Sequence, residues 1–270
     1  MSLLVPGPPV WQSVFVMLVF CAFMSDAPKL LRLKQFTSSA ARLSAFRSGM
    51  VYLWASALCS LALVSPMQLF LVRPAAADMA WLLGQSWTKA LALILLVMYF
   101  SLAFVPALHC LVRRDARQKY STAMRPLQYM LPISHSERRW WVLLSISAGV
   151  CEEVFFRGFL PEFLQGRLHG GWSLSPTGAW ALACLLFGVC HFYQGVAGIA
   201  RTALAGLMFS LLAILSGNLL LPIVLHILVD LGILWIYRPQ LDNPATAAQL
   251  VQGGSSSLAI TTEQGDSCKF

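Results

Sequence analysis

Cys151-Glu152-Glu153-Val154-Phe155-Phe156-Arg157 sets two adjacent carboxylates and a guanidinium inside an apolar run of membrane-spanning length. A charge at the centre of a bilayer costs about 2.5–3.5 kcal/mol on insertion scales. Three charges within six residues therefore call for a function. Whether they really sit in a membrane is decided by the chain around them.

That chain has 270 residues, 58% of them hydrophobic and 11% charged, with a mean hydropathy of +0.69. A soluble domain carries about 25% charged residues and under about 50% apolar ones. The charge here is too sparse to cover a water-facing surface, so the expected fold class is all-α, a polytopic membrane helical bundle. At about 20 residues per crossing, the apolar runs give seven transmembrane helices, at 10–24, 48–64, 90–112, 141–164, 177–193, 199–215 and 219–237. Pro66, Arg73-Pro74-Ala75, Gly170-Gly171 and Ser216-Gly217-Asn218 supply connections, and Trp81-Leu82-Leu83 reads as an interfacial stretch. Pro161-Glu162 predicts an irregular end to the fourth span, and Pro239 closes the last one. The polar stretch 240–270, rich in Gly, Ser, Thr and Gln, has the composition of disorder. Three parts result: 1–138 with the first spans and basic loops, a core at 139–239, and the tail at 240–270.

The net charge of +8 does not point to nucleic acid. Its cations sit in short connections beside apolar runs, as the positive-inside rule requires. Lys29, Arg32, Lys34, Arg42 and Arg47 form one basic connection, and Arg113, Arg114, Arg117, Lys119, Arg125, Arg138 and Arg139 the other. Placing both in the cytosol puts the N-terminus outside and the C-terminus inside. Trp140-Trp141 marks an interface. The first apolar run has neither a basic n-region nor a small-residue cleavage site. With no eukaryotic targeting signal, a bacterial inner membrane is the expected location. Seven cysteines without a CxxC spacing support neither a disulfide framework nor a cysteine zinc site.

On an α-helix, residues four apart share a face and adjacent residues diverge by about 100°. Glu153 and Arg157 can therefore pair, while Glu152 is turned away as a free carboxylate. Phe187-x-x-x-His191 puts a ring one turn before an imidazole, and His226-x-x-x-Asp230 puts an imidazole and a carboxylate on one face. His109, His135 and His169 read as solvated loop residues. Counting the rise per residue places Glu152 near mid-membrane, His191 towards the cytosol and His226 towards the outside. Three helices delivering such groups inward could bind a metal, relay protons or activate water. His191, His226, Glu152 and Asp230 are donor types that zinc accepts, although no His-Glu-x-x-His helix is present.

Glu152-Glu153-x-x-x-Arg157, Phe187-x-x-x-His191 and His226-x-x-x-Asp230, in this order on separate spans, resemble the motifs of the CPBP (CAAX protease and bacteriocin-processing) family of intramembrane proteases. That family includes the type II CAAX prenyl endopeptidases. The resemblance runs from about residue 139 to 238, with Gly158, Phe159, Leu160 and Gly206 flanking the motifs. It implies a glutamate-type intramembrane endopeptidase, often labelled a metalloprotease, cutting a membrane-associated protein or peptide. By the same resemblance Glu152 with His191 activates water, and His226 with Asp230 stabilises the oxyanion. Asp230 stands where the family often has Asn, and an ionised Asp cannot donate a hydrogen bond. A metal-independent route is favoured over zinc because Glu153–Arg157 already accounts for the second acid. Two other classes use the same groups: a non-cleaving scaffold or maturation/immunity protein of this fold, and a proton-coupled transporter. Intact motifs favour cleavage, and no internal repeat supports the transporter.

Overall fold

The computed structural model describes residues 10–25, 31–32, 38–72, 84–166 and 173–237. Trp81-Leu82-Leu83, Arg73, Arg167, His169, Gly170-Gly171, Pro239 and the tail at 240–270 lie outside the described residues. Helices dominate the rest: α1 Val10–Ser25, α2 Ser39–Leu63, α3 Pro66–Phe70, α4 Ser86–Val112, α5 Arg114–Ala123, α6 His135–Glu153, α7 Leu160–Leu164, α8 Pro176–Val189, α9 Val196–Ser216 and α10 Leu220–Ile236. A π-helical segment, Val154–Phe159, joins α6 to α7. Among the described residues the strand-like pairing is an isolated bridge between Leu71 and Asn218.

Local chemistry sets the ends that position the site. Ser134 caps α6 in a reciprocal capping box with Glu137, which satisfies two orphan donors of the first turn. Ser175 caps α8, whose first residue is Pro176. Gly217, at φ 71°, ends α9 in the left-handed conformation that glycine adopts without a Cβ clash.

Among the described residues three helices are long and apolar enough to cross a membrane: Ser39–Leu63, Ser86–Val112 and Val196–Ser216. Gln12–Phe23, Pro176–Val189 and Leu220–Ile236 are apolar but shorter. α4 shows what surrounds the molecule: Leu93, Ile94, Val97 and Leu102 along it are all more than half exposed. A continuous apolar face of this kind fits lipid rather than water. The protein is an integral membrane protein.

The quoted stretch lies at the centre. Residues 151–161 are all buried, and α6 packs between α2 and α10, while α8 packs on α9. Phe15 of α1 closes edge-on over Phe159 at 5.4 Å, and Phe155 stacks on Phe159 at 5.9 Å.

Several expectations change. α2 begins nine residues before the expected span, so Arg42 is helical and buried rather than a loop cation, with Nη2 2.9 Å from Glu137 Oε1. The basic connection after α4 contains the helix α5. The fifth expected span, α8, stops at Val189, and His191 lies in the turn leading into the 3₁₀ segment Phe192–Gln194. The irregularity of the fourth span begins at Val154, seven residues before Pro161.

Candidate active site

The α6 helix carries Glu152 and Glu153 into the core on its last turn. Beyond them the backbone widens to i→i+5 bonding, with the Leu160 N–H on the Phe155 carbonyl. Single π-helical turns recur at functional sites because they re-aim side chains within a continuous helix. Here Arg157 still reaches back one turn: its Nη1 donates to Glu153 Oε1 at 3.0 Å, with both side chains buried. Its Nη2 donates to the Gly206 carbonyl at 3.4 Å. The expected Glu153–Arg157 pair is present.

Glu153 has a second partner that spacing did not reveal. The same Oε1 lies 2.7 Å from His226 Nδ1 on α10. An ion-paired carboxylate can only accept, so His226 gives it the Nδ1 hydrogen. Nε2 is left facing Glu152 Oε2 at 3.7 Å and Asp230 Oδ2 at 3.9 Å. His226 and Asp230 thus share a face as their spacing requires. Asp230 is about a third exposed, while Glu152 and Glu153 are buried. The Trp141 indole donates to the Asp230 carbonyl at 3.0 Å, fixing α10 to the start of α6.

Gly149 allows this approach. A Cβ there would run into Ile227 Cγ1 and sit 3.1 Å from the Ile227 nitrogen and 3.2 Å from the Ile223 carbonyl oxygen. The bare backbone lets α10 lie against α6 one turn before the two glutamates.

Phe187 joins the third motif to the others. Arg157 lies over its ring at 4.3 Å, a cation–π geometry. His191 meets the ring at 5.0 Å and His226 meets it edge-on at 6.3 Å. The His191 Nδ1 is 2.9 Å from the Phe187 carbonyl and donates to it, which leaves Nε2 with a free lone pair. Both imidazoles therefore stand on one phenyl ring. The depth count that placed His191 towards the cytosol and His226 towards the outside is corrected: both meet Phe187, and His191 lies in the turn beyond the end of α8 at Val189. The contact of Glu152 is with His226; its expected partner His191 is joined to the site through Phe187.

Residues 135–232, which include every candidate site residue, match a family model described as Rce1-like, type II CAAX prenyl endopeptidase Rce1-like. Over that stretch the chain is similar to the Rce1-like family. Helices α1 to α5 precede the Rce1-like segment. No match was found among curated proteins or among solved structures.

Within the Rce1-like segment, sequence reasoning overlooked Phe209 and the Glu153–His226 bond. Phe209 lies in an ordinary apolar run, and the bond joins residues 73 apart in the chain; neither leaves a local signal. Among the described residues no group of three or more His, Cys, Asp or Glu side chains is placed to hold a metal ion. His226 Nδ1 and His191 Nδ1 are both committed to protein oxygens. Such Nδ1 bonds are also those of imidazoles that ligate a metal through Nε2; no step below passes through a metal. His109 and His135 are exposed but lie in helices, α4 and α6, rather than in loops.

Proposed function

We propose that this chain is an intramembrane endopeptidase that hydrolyses a peptide bond of a membrane-associated protein or peptide, with Glu152 as general base. One observation carries the reading. Glu153 is committed to Arg157 and His226, which leaves Glu152 as a buried carboxylate beside the His226 imidazole, with no arginine or lysine ion pair of its own among the described residues. A carboxylate so placed can take a proton from water, and a positioned base is worth about 10²–10⁴ in rate.

In this reading Glu152 takes the proton as the water oxygen attacks the scissile carbonyl carbon. His191, whose Nδ1–H is held by the Phe187 carbonyl, offers its Nε2 lone pair to the same water. The tetrahedral oxyanion faces His226. Because Nδ1 already gives its hydrogen to Glu153, Nε2 donates to the oxyanion only when His226 is the imidazolium. The carboxylates of Glu152, Glu153 and Asp230 offset that charge. An oxyanion donor contributes about 2.7–4 kcal/mol to such a step. The intermediate collapses by breaking the C–N bond, and the proton on Glu152 passes to the leaving nitrogen, giving a carboxylic acid and an amine. Asp230 acts on this account through His226 rather than as a donor.

The family description names CAAX prenyl endopeptidases, and a prenylated C-terminal peptide is accordingly the first substrate to try. We further propose seven crossings with the N-terminus outside and the C-terminus in the cytosol, in a bacterial inner membrane. The test of the function is a comparison of peptide termini in membranes of cells carrying wild-type protein or Glu152→Gln. Termini found with wild type alone identify the substrate class. Identical sets, with the same phenotype from either form, would instead favour a non-cleaving scaffold.

A further inference from the structure

His226 is held by more than its hydrogen bond. Phe209 of α9 lies against it in parallel, with ring centroids 4.9 Å apart and planes 20° apart. Phe187 blocks the edge, perpendicular at 6.3 Å. A single bond from Nδ1 fixes one ring atom and leaves the imidazole free to tilt about it; a flat plate on the ring face removes that freedom. The direction of Nε2, between Glu152 and Asp230, is then defined. Phe209 is buried, and the Arg157 guanidinium lies 5.7 Å from its centroid. The same ring thus touches both partners of Glu153.

Phe209 is itself supported from outside the Rce1-like segment. Phe100 of α4 meets it edge-on at 5.4 Å, the T-shaped arrangement that aromatic pairs favour. Leu96 of α4 and Leu212 of α9 belong to the same buried cluster. A chain of contacts therefore runs from a lipid-facing helix through Phe100 and Phe209 to His226.

We infer that Phe209 is a positioning residue for His226, braced by Phe100, and that this is how the N-terminal half contributes to the site. The inference rests on the peptidase reading for its kinetic effect and on geometry alone for its effect on the imidazole. A misplacement of about 1 Å costs about 10²-fold in rate, so partial loss of orientation is expected to be measurable.

The experiment uses the full-length protein in bilayer nanodiscs. Phe209→Leu keeps an apolar side chain and removes the plate, Phe209→Tyr keeps the plate, and Phe163→Leu removes a similarly buried ring that stacks on Phe159 and not on His226. Phe209→Leu should lower kcat about tenfold with KM within about twofold, and Phe209→Tyr should stay within about threefold of wild type. Phe163→Leu should lower the melting temperature and leave kcat per folded molecule unchanged. Histidine side-chain NMR needs no substrate. The Nδ1 proton of His226, assigned by its loss in His226→Gln, should exchange faster in Phe209→Leu and remain protected in Phe209→Tyr. Wild-type kcat and an unchanged imidazole signal in Phe209→Leu would overturn the proposal, as would losses no greater than those of Phe163→Leu. If Phe209→Leu does not fold, Phe100→Leu decides by the same signal, and an unchanged His226 there overturns it. If wild type cleaves nothing, the peptidase reading fails by itself while the NMR result still decides the positioning.

Discussion

Two glutamates on α6 do opposite kinds of work, and their partners show why. Glu153 divides one oxygen between Arg157 and His226, so it links the motifs. Glu137, sixteen positions earlier and before the Trp140-Trp141 interface, accepts Arg42 of α2, the Ser134 N–H and, at 2.6 Å, the Ile133 N–H. Burial alone would raise the Glu137 pKa. Hydrogen bonds from Arg42, Ser39 and Ile133, with the charge of Arg42, outweigh it and hold the carboxyl below its usual range. A carboxyl lowered by folding stabilises the native state above its unfolded pKa, about 4.3, and this is lost as pH falls through the folded value. Glu137→Gln should therefore cost about 3–5 kcal/mol at neutral pH, as removal of one member of a buried pair does. The melting-temperature gap to wild type should narrow as pH is lowered past 4. A gap independent of pH would exclude this role. The Glu153–Arg157 pair was legible because i,i+4 spacing is a local rule. The partners Glu137–Arg42 and Glu153–His226 were not, since each joins separate helices.

At the scale of elements, the site exists because α10 can lie close to α6. Gly149→Ala should push Ile223 and Ile227 outward and lengthen the bond from His226 to Glu153. Overpacking of this kind costs about 1–3 kcal/mol, and activity should fall about tenfold or more by loss of orientation. Gly49→Ala on α2 is the control: its Cβ would meet nothing nearer than Leu144 Cδ1 at 3.9 Å, and both stability and activity should be kept. Equal activity in the two variants, measured per folded molecule, would contradict the close-approach account. Periodicity identified which segments are helical, because long apolar runs between Pro, Gly and basic connections leave few alternatives. It missed the π-helical widening at Val154, because i→i+5 bonding has no residue signature of its own. It also misplaced the end of α8, where Cys190 and His191 turn out of the helix although the apolar pattern continues.

For the molecule as a whole, the lipid-facing surface of α4 and the buried, charged C-terminal turn of α6 define inside and outside of the bundle. The proposed orientation puts 26–47 and 113–140 in the cytosol and 65–89 outside. Alkaline phosphatase, active only outside the cytosol, should be active when inserted in 65–89 and silent after residue 270; the reverse pattern would invert the topology. The family and the residues that converge on Phe187 were readable from three short motifs in order. How the N-terminal helices serve them was not, because Phe100 carries no mark of its role. The central claim is that Glu152 is the base. The direct measurement is kcat/KM of purified wild type and Glu152→Gln on one substrate peptide, with melting temperatures recorded for both. The account predicts a loss of about 10²–10⁴-fold at an unchanged melting temperature. Hydrolysis by Glu152→Gln at the wild-type rate would contradict it.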